Sequence, residues 1–347
     1  MRYSKVYLDS MGYELGQLVV TSQQIEERLA PLYEKLNIPE GQIEAWTGVK
    51  ERRWWEPGYP TIKGSISAAK KALAASNVRP EDIGTLIYTS VFKTQLEPAT
   101  ACNIGADIGV SPDATMYDIS NACLAAVNGI IEIANKIELG QIKAGMVVSC
   151  ETSPHINELT IKQLLENPRM DEFIRSAATF TGGSGASAVI LTDGSFSDSR
   201  KPQLLGGVAC TDPQFNDICR WEMEPIGNGK YQEIARTDAP AVLNNGVRIG
   251  ERTWQRFKET LGWTSDDVDK TICHQVARKN QEMMRKTMGV TPEQDFDTYP
   301  FLGNIGSVSL PITAAIANER GFLKPGDKVV FGGIGSGLNC LILGWQW

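Results

Sequence analysis

Three residues that lie far apart in this 347-residue chain have side chains suited to acyl transfer: Cys123, His274 and Asn304. Cys123 stands in DISNACLAAVNG, where a small, apolar helical pattern begins directly after a polar stretch. A cysteine at the N-terminus of a helix meets unsatisfied backbone N–H groups and the positive end of the helix dipole, which favour the thiolate. The same N–H groups can hold the oxyanion that forms when sulfur attacks a carbonyl. Cys123 is therefore the candidate nucleophile.

The candidate partners of this cysteine are a histidine, an asparagine and a glycine-rich segment. The chain has two histidines, His155 and His274, and only His274 follows a predicted strand end, in TICHQVAR. Asn304 lies in the turn LGNIGS, whose glycines allow the backbone to approach closely. The segment VVFGGIGSGLNC contains Gly333 and Ser336 and follows another apolar strand pattern. Such a segment suits backbone N–H donors placed near an acyl group.

Each of these signals also has an ordinary structural explanation. A cysteine before small apolar residues is more often packed than reactive, and an asparagine in a glycine-rich turn often serves the turn. The GGIGSG stretch does not predict a nucleotide site, because no helix or further βαβ unit follows it. What favours the catalytic interpretation is that all of these residues fall at matching places of an internal repeat.

Composition limits the classes of function. The formal net charge of -7 argues against nucleic acid as the main partner, since a phosphate-binding surface needs a basic stripe. No apolar run reaches the roughly 18 residues of a membrane span, and MRYSKVYLDS lacks a signal-peptide core. The seven cysteines are an odd number without a C-x-x-C pair, which does not indicate a disulfide framework. We therefore expect a cytoplasmic protein without a transmembrane segment.

The elements that would position the candidate residues alternate between strands and helices. Thr21 and Gln24 predict a capping box that opens a helix running through Lys35. Continuous apolar strands between helices predict an α/β fold whose sheet is covered on both faces. The pattern predicts helices at 62–75 and 122–139, strands at 83–91, 145–150 and 186–191, a polar helical excursion at about 153–180, and a loop-rich stretch at 194–232.

An internal repeat indicates how the chain is organised. RPEDIGTLIYTS followed by SNACLAAVNGIIEIANKIELGQIKAGMVVS matches TSDDVDKTICHQ followed by LGNIGSVSLPITAAIANERGFLKPGDKVVF. In this register Thr89 falls opposite His274, and Cys123 falls near Asn304. The repeat predicts two halves, 1–195 and 196–347, with the excursion inside the first. A duplicated unit would bring its two equivalent helix N-termini together, and with them Cys123, His274 and Asn304.

These motifs resemble the thiolase superfamily, in its ketoacyl-acyl carrier protein synthase III branch. The resemblance rests on the order of SNACLAAVNG, HQVAR, GNIGS and GGIGSG, and on TGVKERR at 47–53, which is similar to the T-G-I-x-E-R-R motif of that branch. Within the branch, LEPATA at 96–101, CETS, HQVAR and IGSGLNC resemble the head-to-head acyl-CoA condensing enzymes of bacterial long-chain olefin biosynthesis. The resemblance covers nearly the whole chain. It implies a five-layered αβαβα fold made of two duplicated halves and a homodimer.

The resemblance also implies a mechanism. The Cys123 thiolate would take the acyl group of a fatty acyl-CoA, and backbone N–H groups at Cys123 and Gly333, in the segment that includes Ser336, would hold the oxyanion. His274 and Asn304 would then stabilise the enolate of a second acyl-CoA.

Carbon–carbon bond formation without loss of CO2 needs a base, for which we select Glu97, in the segment TSVFKTQLEPATA. By resemblance, this segment lies at the dimer interface, and its glutamate reaches into the active site of the partner subunit. Sequence alone favours an exposed loop glutamate, and the family resemblance reverses that preference. A carboxylate screened from water there would be a better base.

The expected reaction is a non-decarboxylative Claisen condensation of two long-chain fatty acyl-CoAs to a 2-alkyl-3-oxoacyl-CoA. Two departures argue against a standard chain-initiating synthase III: Ala277 replaces the asparagine that follows His-Gln in that branch, and Trp46 stands where a basic residue is common. The alternatives are a decarboxylating synthase III that uses a malonyl thioester, and an acyltransferase that passes the acyl group to an alcohol or an amine.

The remaining expectations concern ligands and partners. Basic residues near the resembling motifs are candidates for the phosphates of coenzyme A, with a solvated surface charge as the equally weighted alternative. These candidates are Lys50, Arg52, Arg53, Arg278 and Lys279. We expect no metal and no cofactor, since coenzyme A enters as part of the substrate. Fatty acyl-CoA, a second copy of the chain and downstream enzymes of the same pathway are the expected partners.

Overall fold

The structure of the protein is a computed structural model that describes residues 1–347. Strands and helices alternate along most of the chain. The strands are β1 (Tyr7–Leu15), β2 (Leu18–Thr21), β3 (Glu51–Trp54), β4 (Ile83–Thr89), β5 (Thr115–Ile119), β6 (Ala144–Glu151), β7 (Gly185–Thr192), β8 (Gln203–Thr211), β9 (Cys219–Gly227), β10 (Lys230–Thr237), β11 (Lys270–Cys273), β12 (Lys328–Gly335) and β13 (Asn339–Gln346). The α-helices are α1 (Ser22–Arg28), α2 (Ala30–Leu36), α3 (Gln42–Thr47), α4 (Thr61–Ala74), α5 (Thr100–Ile108), α6 (Ala125–Glu138), α7 (Pro154–Glu166), α8 (Met170–Ser176), α9 (Ala239–Leu261), α10 (Arg278–Met288), α11 (Tyr299–Leu302) and α12 (Ser309–Glu319).

Nine strands form one sheet in the order β11-β12-β13-β8-β1-β7-β6-β4-β5, and this sheet consists of two similar parts. In the first part β4 is parallel to β6, and β7 lies between β6 and β1 and is antiparallel to both. In the second part β11 is parallel to β12, and β12, β13 and β8 repeat the antiparallel pattern. The parts join through a single residue pair, Tyr7 with Gln203. The shared topology confirms a fold built from two duplicated units.

Three hydrophobic clusters divide this structure into five layers. The largest contains 26 buried residues from α6, α12 and both parts of the sheet, so these two helices lie between the parts. A second cluster packs α4 and α5 against the outer face of the first part, and a third packs α9 and α10 against the second part. Nine of the 11 residues of α12 are buried, as expected for a helix that is apolar on all sides. The αβαβα layering predicted from the family resemblance is confirmed.

Most predicted elements of the first part are present with small shifts at their ends. Thr21 and Gln24 form the expected reciprocal capping box, but the helix they open is interrupted at Leu29 and continues as α2. The strand predicted for 83–91 ends at Thr89, because Val91 already belongs to the loop that follows. The helix predicted from residue 122 begins as a 3₁₀ turn, Ala122–Leu124, and becomes α6 only at Ala125.

The prediction that residues 194–232 are mainly loop was wrong. This stretch contains β8, an interior strand of the sheet, and most of the antiparallel hairpin formed by β9 and β10. Glycines inside β8 and charged residues along the hairpin weakened the strand pattern there. The excursion predicted at 153–180 is helical, as α7 and α8, and packs against β10. No helix of the protein is both long and apolar enough to cross a membrane.

Candidate active site

The N-terminal ends of the two central helices meet at one cavity. A 3₁₀ turn precedes each helix, Ala122–Leu124 before α6 and Gly306–Val308 before α12, and the two turns contact each other. The cavity has a volume of about 280 Å³, and its lining includes Cys123, His274 and Asn304. The three residues that the repeat placed at equivalent helix ends and strand ends are therefore brought together.

Cys123 is held at the cavity by an unusual backbone conformation. The preceding residue, Ala122, has φ of +45°, a left-handed conformation that costs a non-glycine residue about 1–2 kcal/mol. The turn leaves the thiol half-buried in the cavity wall. Burial raises the pKa of Cys123 from 9.0 to about 12, and the nearby Cys219 and Glu151 act in the same direction. Burial of the thiol therefore opposes the resting thiolate that was expected from the position at the helix terminus.

His274 follows β11 and is 4% exposed. Neither ring nitrogen has a hydrogen-bond partner within the protein, although buried polar atoms normally have one. Burial lowers the pKa of His274 to about 4, so the imidazole is neutral at physiological pH, with one N–H donor and one nitrogen acceptor. Neither function of the ring is engaged by another group of the protein, and His274 lines the cavity.

The amide of Asn304 is oriented by its own turn. The backbone N–H of Gly306 donates to Asn304 Oδ1 at 3.0 Å, which leaves the Nδ2 donor as the end available to the cavity. The backbone of Asn304 is fixed as well, since its N–H donates to the carbonyl of Thr181 at 2.9 Å and its carbonyl accepts from Gly183 N–H at 2.9 Å. Asn304 therefore presents a positioned donor next to the neutral His274.

Gly333 and Ser336 also line the cavity, at the C-terminal end of β12. A Cβ atom at Gly333 would lie 2.9 Å from His274 Cβ and 2.7 Å from a methyl carbon of Leu124, so only glycine fits between these side chains. The close approach brings the β12 backbone to the cavity beside Cys123. The hydroxyl of Ser336 donates to the sulfur of Cys219 at 3.1 Å and is therefore already occupied.

A carboxylate that the sequence analysis did not select lies in the same wall. Glu151, the last residue of β6, is 4% exposed and lines the cavity. Its Oε1 accepts from Val91 N–H at 2.8 Å, from Ser307 N–H at 3.2 Å and from Ser307 Oγ at 2.6 Å, and its Oε2 accepts from Phe92 N–H at 3.3 Å. Burial raises the pKa of the Glu151 carboxyl, and these hydrogen bonds oppose that change.

Glu97 lies outside the cavity of its own chain. It is exposed, next to Leu96, whose side chain is 99% exposed, in the loop between β4 and α5. The structure of one chain therefore does not bring Glu97 to Cys123.

One of the basic residues expected to contact coenzyme A is a structural residue. Arg52 is fully buried, and its guanidinium donates to the carbonyls of Val20 and Phe180 and to the hydroxyl of Ser22, at 2.8 to 3.1 Å. A phosphate group cannot reach it without displacing these partners. The expectation for Arg52 is therefore corrected: this guanidinium links β2, β3 and the segment after α8.

The other basic candidates are accessible but do not line the cavity. Lys50, Arg278 and Lys279 are exposed, and Arg53 is half-buried. Arg278 and Lys279 begin α10 and directly precede Asn280, which does line the cavity. Arg220 is a basic residue of the lining that no sequence motif indicated.

The rest of the lining is largely apolar and comes from several elements. Helices α9 and α10 contribute aliphatic side chains, methionines and the buried glycines Gly246 and Gly250. Ile156 of α7, Ala178 after α8 and Trp221 of the hairpin contribute as well. Such walls suit alkyl chains.

Known proteins share this sequence and fold. The thiolase N-terminal domain model matches residues 65–191, and the 3-oxoacyl-[acyl-carrier-protein] synthase III C-terminal model matches residues 259–347. A Shewanella oneidensis protein named acyl-CoA:acyl-CoA alkyltransferase is 51% identical over 100% of both chains. A Xanthomonas campestris protein of the same name is 32% identical, also over 100% of both chains.

Solved structures agree with these sequence matches. The crystal structure of cerulenin-bound OleA from Xanthomonas campestris has a TM-score of 0.93 and 32% identity, and covers 100% of this chain and 98% of that one. Other solved forms of OleA carry a replaced cysteine, glutamate or histidine, and a cysteine-to-serine form, with a TM-score of 0.92, contains lauric acid and lauroyl-CoA.

The fold and the site define a condensing acyltransferase of the thiolase superfamily, in the synthase III branch. Within it, the chain belongs to the acyl-CoA:acyl-CoA alkyltransferase family.

Proposed function

We propose that this enzyme joins two long-chain fatty acyl-CoAs in a non-decarboxylative Claisen condensation that yields a 2-alkyl-3-oxoacyl-CoA for long-chain hydrocarbon biosynthesis. The observation that carries the proposal is the convergence of Cys123, a neutral unpartnered His274 and an oriented Asn304 in one largely apolar cavity. The names of the relatives support acyl-CoA as both donor and acceptor.

The first step transfers an acyl group to Cys123. Because the thiol is neutral at rest, its proton must move to an acceptor as sulfur attacks the thioester, and the free nitrogen of His274 can take it. The bond from the carbonyl carbon to the coenzyme A sulfur breaks, and the departing thiolate takes the proton from His274, which gives free coenzyme A and a neutral His274. Backbone N–H groups at Cys123 and Gly333 would hold the intermediate oxyanion.

The second step forms the carbon–carbon bond. A base removes an α-proton from a second acyl-CoA, and the N–H of His274 and the Nδ2 group of Asn304 donate to the enolate oxygen. The α-carbon attacks the acyl-Cys123 carbonyl, and the carbon–sulfur bond to Cys123 breaks. The product is a β-keto thioester, and the Cys123 thiolate is protonated at the expense of the proton that the base removed, so both groups return to their starting states.

For the base we propose Glu97 of a second subunit. Glu151 is the only carboxylate in the cavity lining of one chain, and its Oε1 already accepts three hydrogen bonds. Glu97 projects from the surface beside the exposed Leu96, as expected for a loop that another subunit covers. The active enzyme is then a homodimer in which each cavity is completed by its neighbour.

The substrate and the cellular setting follow from the walls of the cavity and from the cysteines. The apolar lining suits alkyl chains, and Arg278 and Lys279, next to the lining residue Asn280, would bind the phosphates of coenzyme A, which enters as part of the substrate. All seven cysteines are free thiols, which supports a reducing cytoplasm. Downstream enzymes of the same pathway would then act on the β-keto product.

The test is incubation with myristoyl-CoA alone, with the product mass and the intact-protein mass measured together. A condensed β-keto product, with Cys123→Ala as the inactive control, supports the proposal. Condensation that requires malonyl-CoA would instead indicate the decarboxylating alternative. Transfer from the acyl-enzyme only to an added alcohol or amine would indicate the simple acyltransferase.

The role of Glu97 is tested separately in mixed dimers. The Glu97→Ala homodimer should acquire an acyl group on Cys123 but fail to condense it. Mixing Cys123→Ala and Glu97→Ala subunits should restore one competent cavity per dimer. Full condensation by the Glu97→Ala homodimer would show that the proton is removed elsewhere.

A further inference from the structure

The loop that carries Glu97 is fixed at both ends and exposed at its tip. We call residues 91–99, between β4 and α5, the Glu97 loop. Asp118 accepts from Lys93 Nζ, in the first half of the loop, at 3.1 Å, and from the backbone N–H groups of Thr100 and Ala101, directly after the loop, at 3.0 Å. Hydrogen bonds therefore fix the segments on both sides of the exposed tip.

Glu151 fixes the N-terminal end of this loop. Its carboxylate accepts from the first two backbone N–H groups of the loop, those of Val91 and Phe92. The same carboxylate accepts from both the N–H and the hydroxyl of Ser307, three residues after Asn304. One side chain thus connects the Glu97 loop to the turn that carries the enolate-binding amide.

Burying the Glu151 carboxylate costs free energy, and we take this as a sign that its contacts serve the reaction. All four donors to Glu151 are uncharged, and a buried carboxylate without a charged partner is expensive to keep. The fit around it is tight, since a Cβ atom at Gly306 would lie 3.0 Å from the Glu151 carboxyl carbon. Gly306 has φ of +54°, so a side chain there would also be strained.

We infer that Glu151 is a positioning residue for condensation, which holds the Glu97 loop in a fixed relation to the Asn304 turn. The inference rests on the proposed role of Glu97 in the condensation reaction. Through Glu151, the position of a base that serves the neighbouring subunit depends on the geometry of the cavity in its own subunit.

The test variant is Glu151→Gln, with Glu166→Gln on the exposed end of α7 as the matched control. The glutamine side chain has the same shape as glutamate, but its NH2 group is a donor. This NH2 group would face backbone N–H or hydroxyl groups that are also donors, so the hydrogen bonds to one of the two carboxylate oxygens are lost. Acylation of Cys123, measured by intact-protein mass, should stay within about threefold of wild type. Condensation of myristoyl-CoA should fall about 10²-fold, the cost of misplacing a catalytic group by about 1 Å.

Two further readouts separate positioning from a general structural effect. Hydrogen–deuterium exchange of the peptide that covers residues 91–99 should become faster in Glu151→Gln and stay unchanged in Glu166→Gln. In a Glu97→Ala background, Glu151→Gln should lower the residual condensation by less than about threefold, because the two residues act in one step. If Glu151→Gln does not fold, Ser307→Ala removes a single donor and should show the same pattern at smaller amplitude.

Several results would overturn the inference. Wild-type condensation or unchanged loop exchange in folded Glu151→Gln would remove the positioning role. If Glu151→Gln lowered condensation in the Glu97→Ala background by the same factor as in the wild-type background, Glu151 would act on the substrate itself. Failure of the proposed function is recognised independently: wild-type enzyme would then form no β-keto product from myristoyl-CoA, while the exchange experiment would still report on the loop.

Discussion

The resting state of Cys123 can be tested with a thiol reagent. Burial raises the pKa of its thiol from 9.0 to about 12, so at neutral pH the thiolate fraction is about 10³-fold lower than for the unburied group. A more basic thiolate is also intrinsically more nucleophilic, by about 0.4–0.5 logarithmic units per pKa unit. Together these effects predict that iodoacetamide alkylates Cys123 about 30- to 60-fold more slowly than an unburied thiol.

The assay is peptide mass spectrometry after timed alkylation of the free enzyme, with the exposed Cys102 as the internal reference. The rate at Cys123 should rise about tenfold per pH unit, without a plateau, up to the highest pH at which the protein stays folded. Cys123→Ala identifies the signal. A plateau below pH 9, or alkylation faster than that of Cys102, would show that the helix terminus does stabilise a resting thiolate and would refute the argument from burial.

Three further predictions concern single substitutions. His274→Ala should slow acylation as well as condensation, by about 10²- to 10⁴-fold, because it removes the proton acceptor of Cys123; single-turnover acylation at the wild-type rate would contradict this. Asn304→Ala should lower condensation by about 10²- to 10³-fold and acylation much less, measured on the same samples. Asp295 has a pKa raised from 3.8 to about 6, by burial and then by Asp297. Its contribution to stability is therefore complete below pH 4 and is lost as pH rises through 6. The unfolding free energy of Asp295→Asn relative to wild type should rise by about 3 kcal/mol from pH 3.5 to 7 in urea titrations, and a flat difference would refute the assignment.

The parts of the fold that follow from local sequence were predictable. The capping box at Thr21 and the continuous apolar patterns of β4, β6 and β7 are local signals, and the structure confirms them. The hairpin was missed although Cys219, Trp221 and Met223 alternate with charged residues in CRWEMEPIG, because this short face is only partly buried and KYQEIART shows no matching alternation. Its strands are specified by pairing with each other, which a single segment does not reveal.

The same holds for the site: its residues could be selected from the sequence, whereas properties that depend on contacts with distant residues could not be predicted. Cys123, His274 and Asn304 were selected because the repeat relates their positions along the chain. The pKa of Cys123 could not be predicted, because its burial depends on side chains that the fold brings from distant segments, such as the Leu124–Gly333 contact. Glu151 was missed for a similar reason: its partner Ser307 lies 156 residues further along the chain. A single carboxylate at the end of the apolar strand AGMVVSCE was the signal that could have identified it.

Arg52 shows a signal that was present but unused. The alternation of β3 places Arg52 and Trp54 on the buried face, and Glu51 and Arg53 on the other. A period of two along ERRW therefore distinguishes the structural arginine from its neighbour. From the TGVKERR motif alone, both Arg52 and Arg53 were predicted to be accessible cations.

The two glycines of α9 that border the cavity have a consequence for how the enzyme can diverge. A glycine inside a helix is less stable than alanine by about 1 kcal/mol, so Gly246 and Gly250 keep space open against the preference of the helix itself. A methyl group at either position would meet Ile334 at 3.6 Å, which is ordinary contact distance, and would project where an alkyl chain can lie. Mutation to alanine is thus favoured by folding. With the long-chain substrates proposed above, substrate size opposes it, so selection acts continuously at these positions, and a lineage that turned to shorter substrates would gain stability by losing the two glycines.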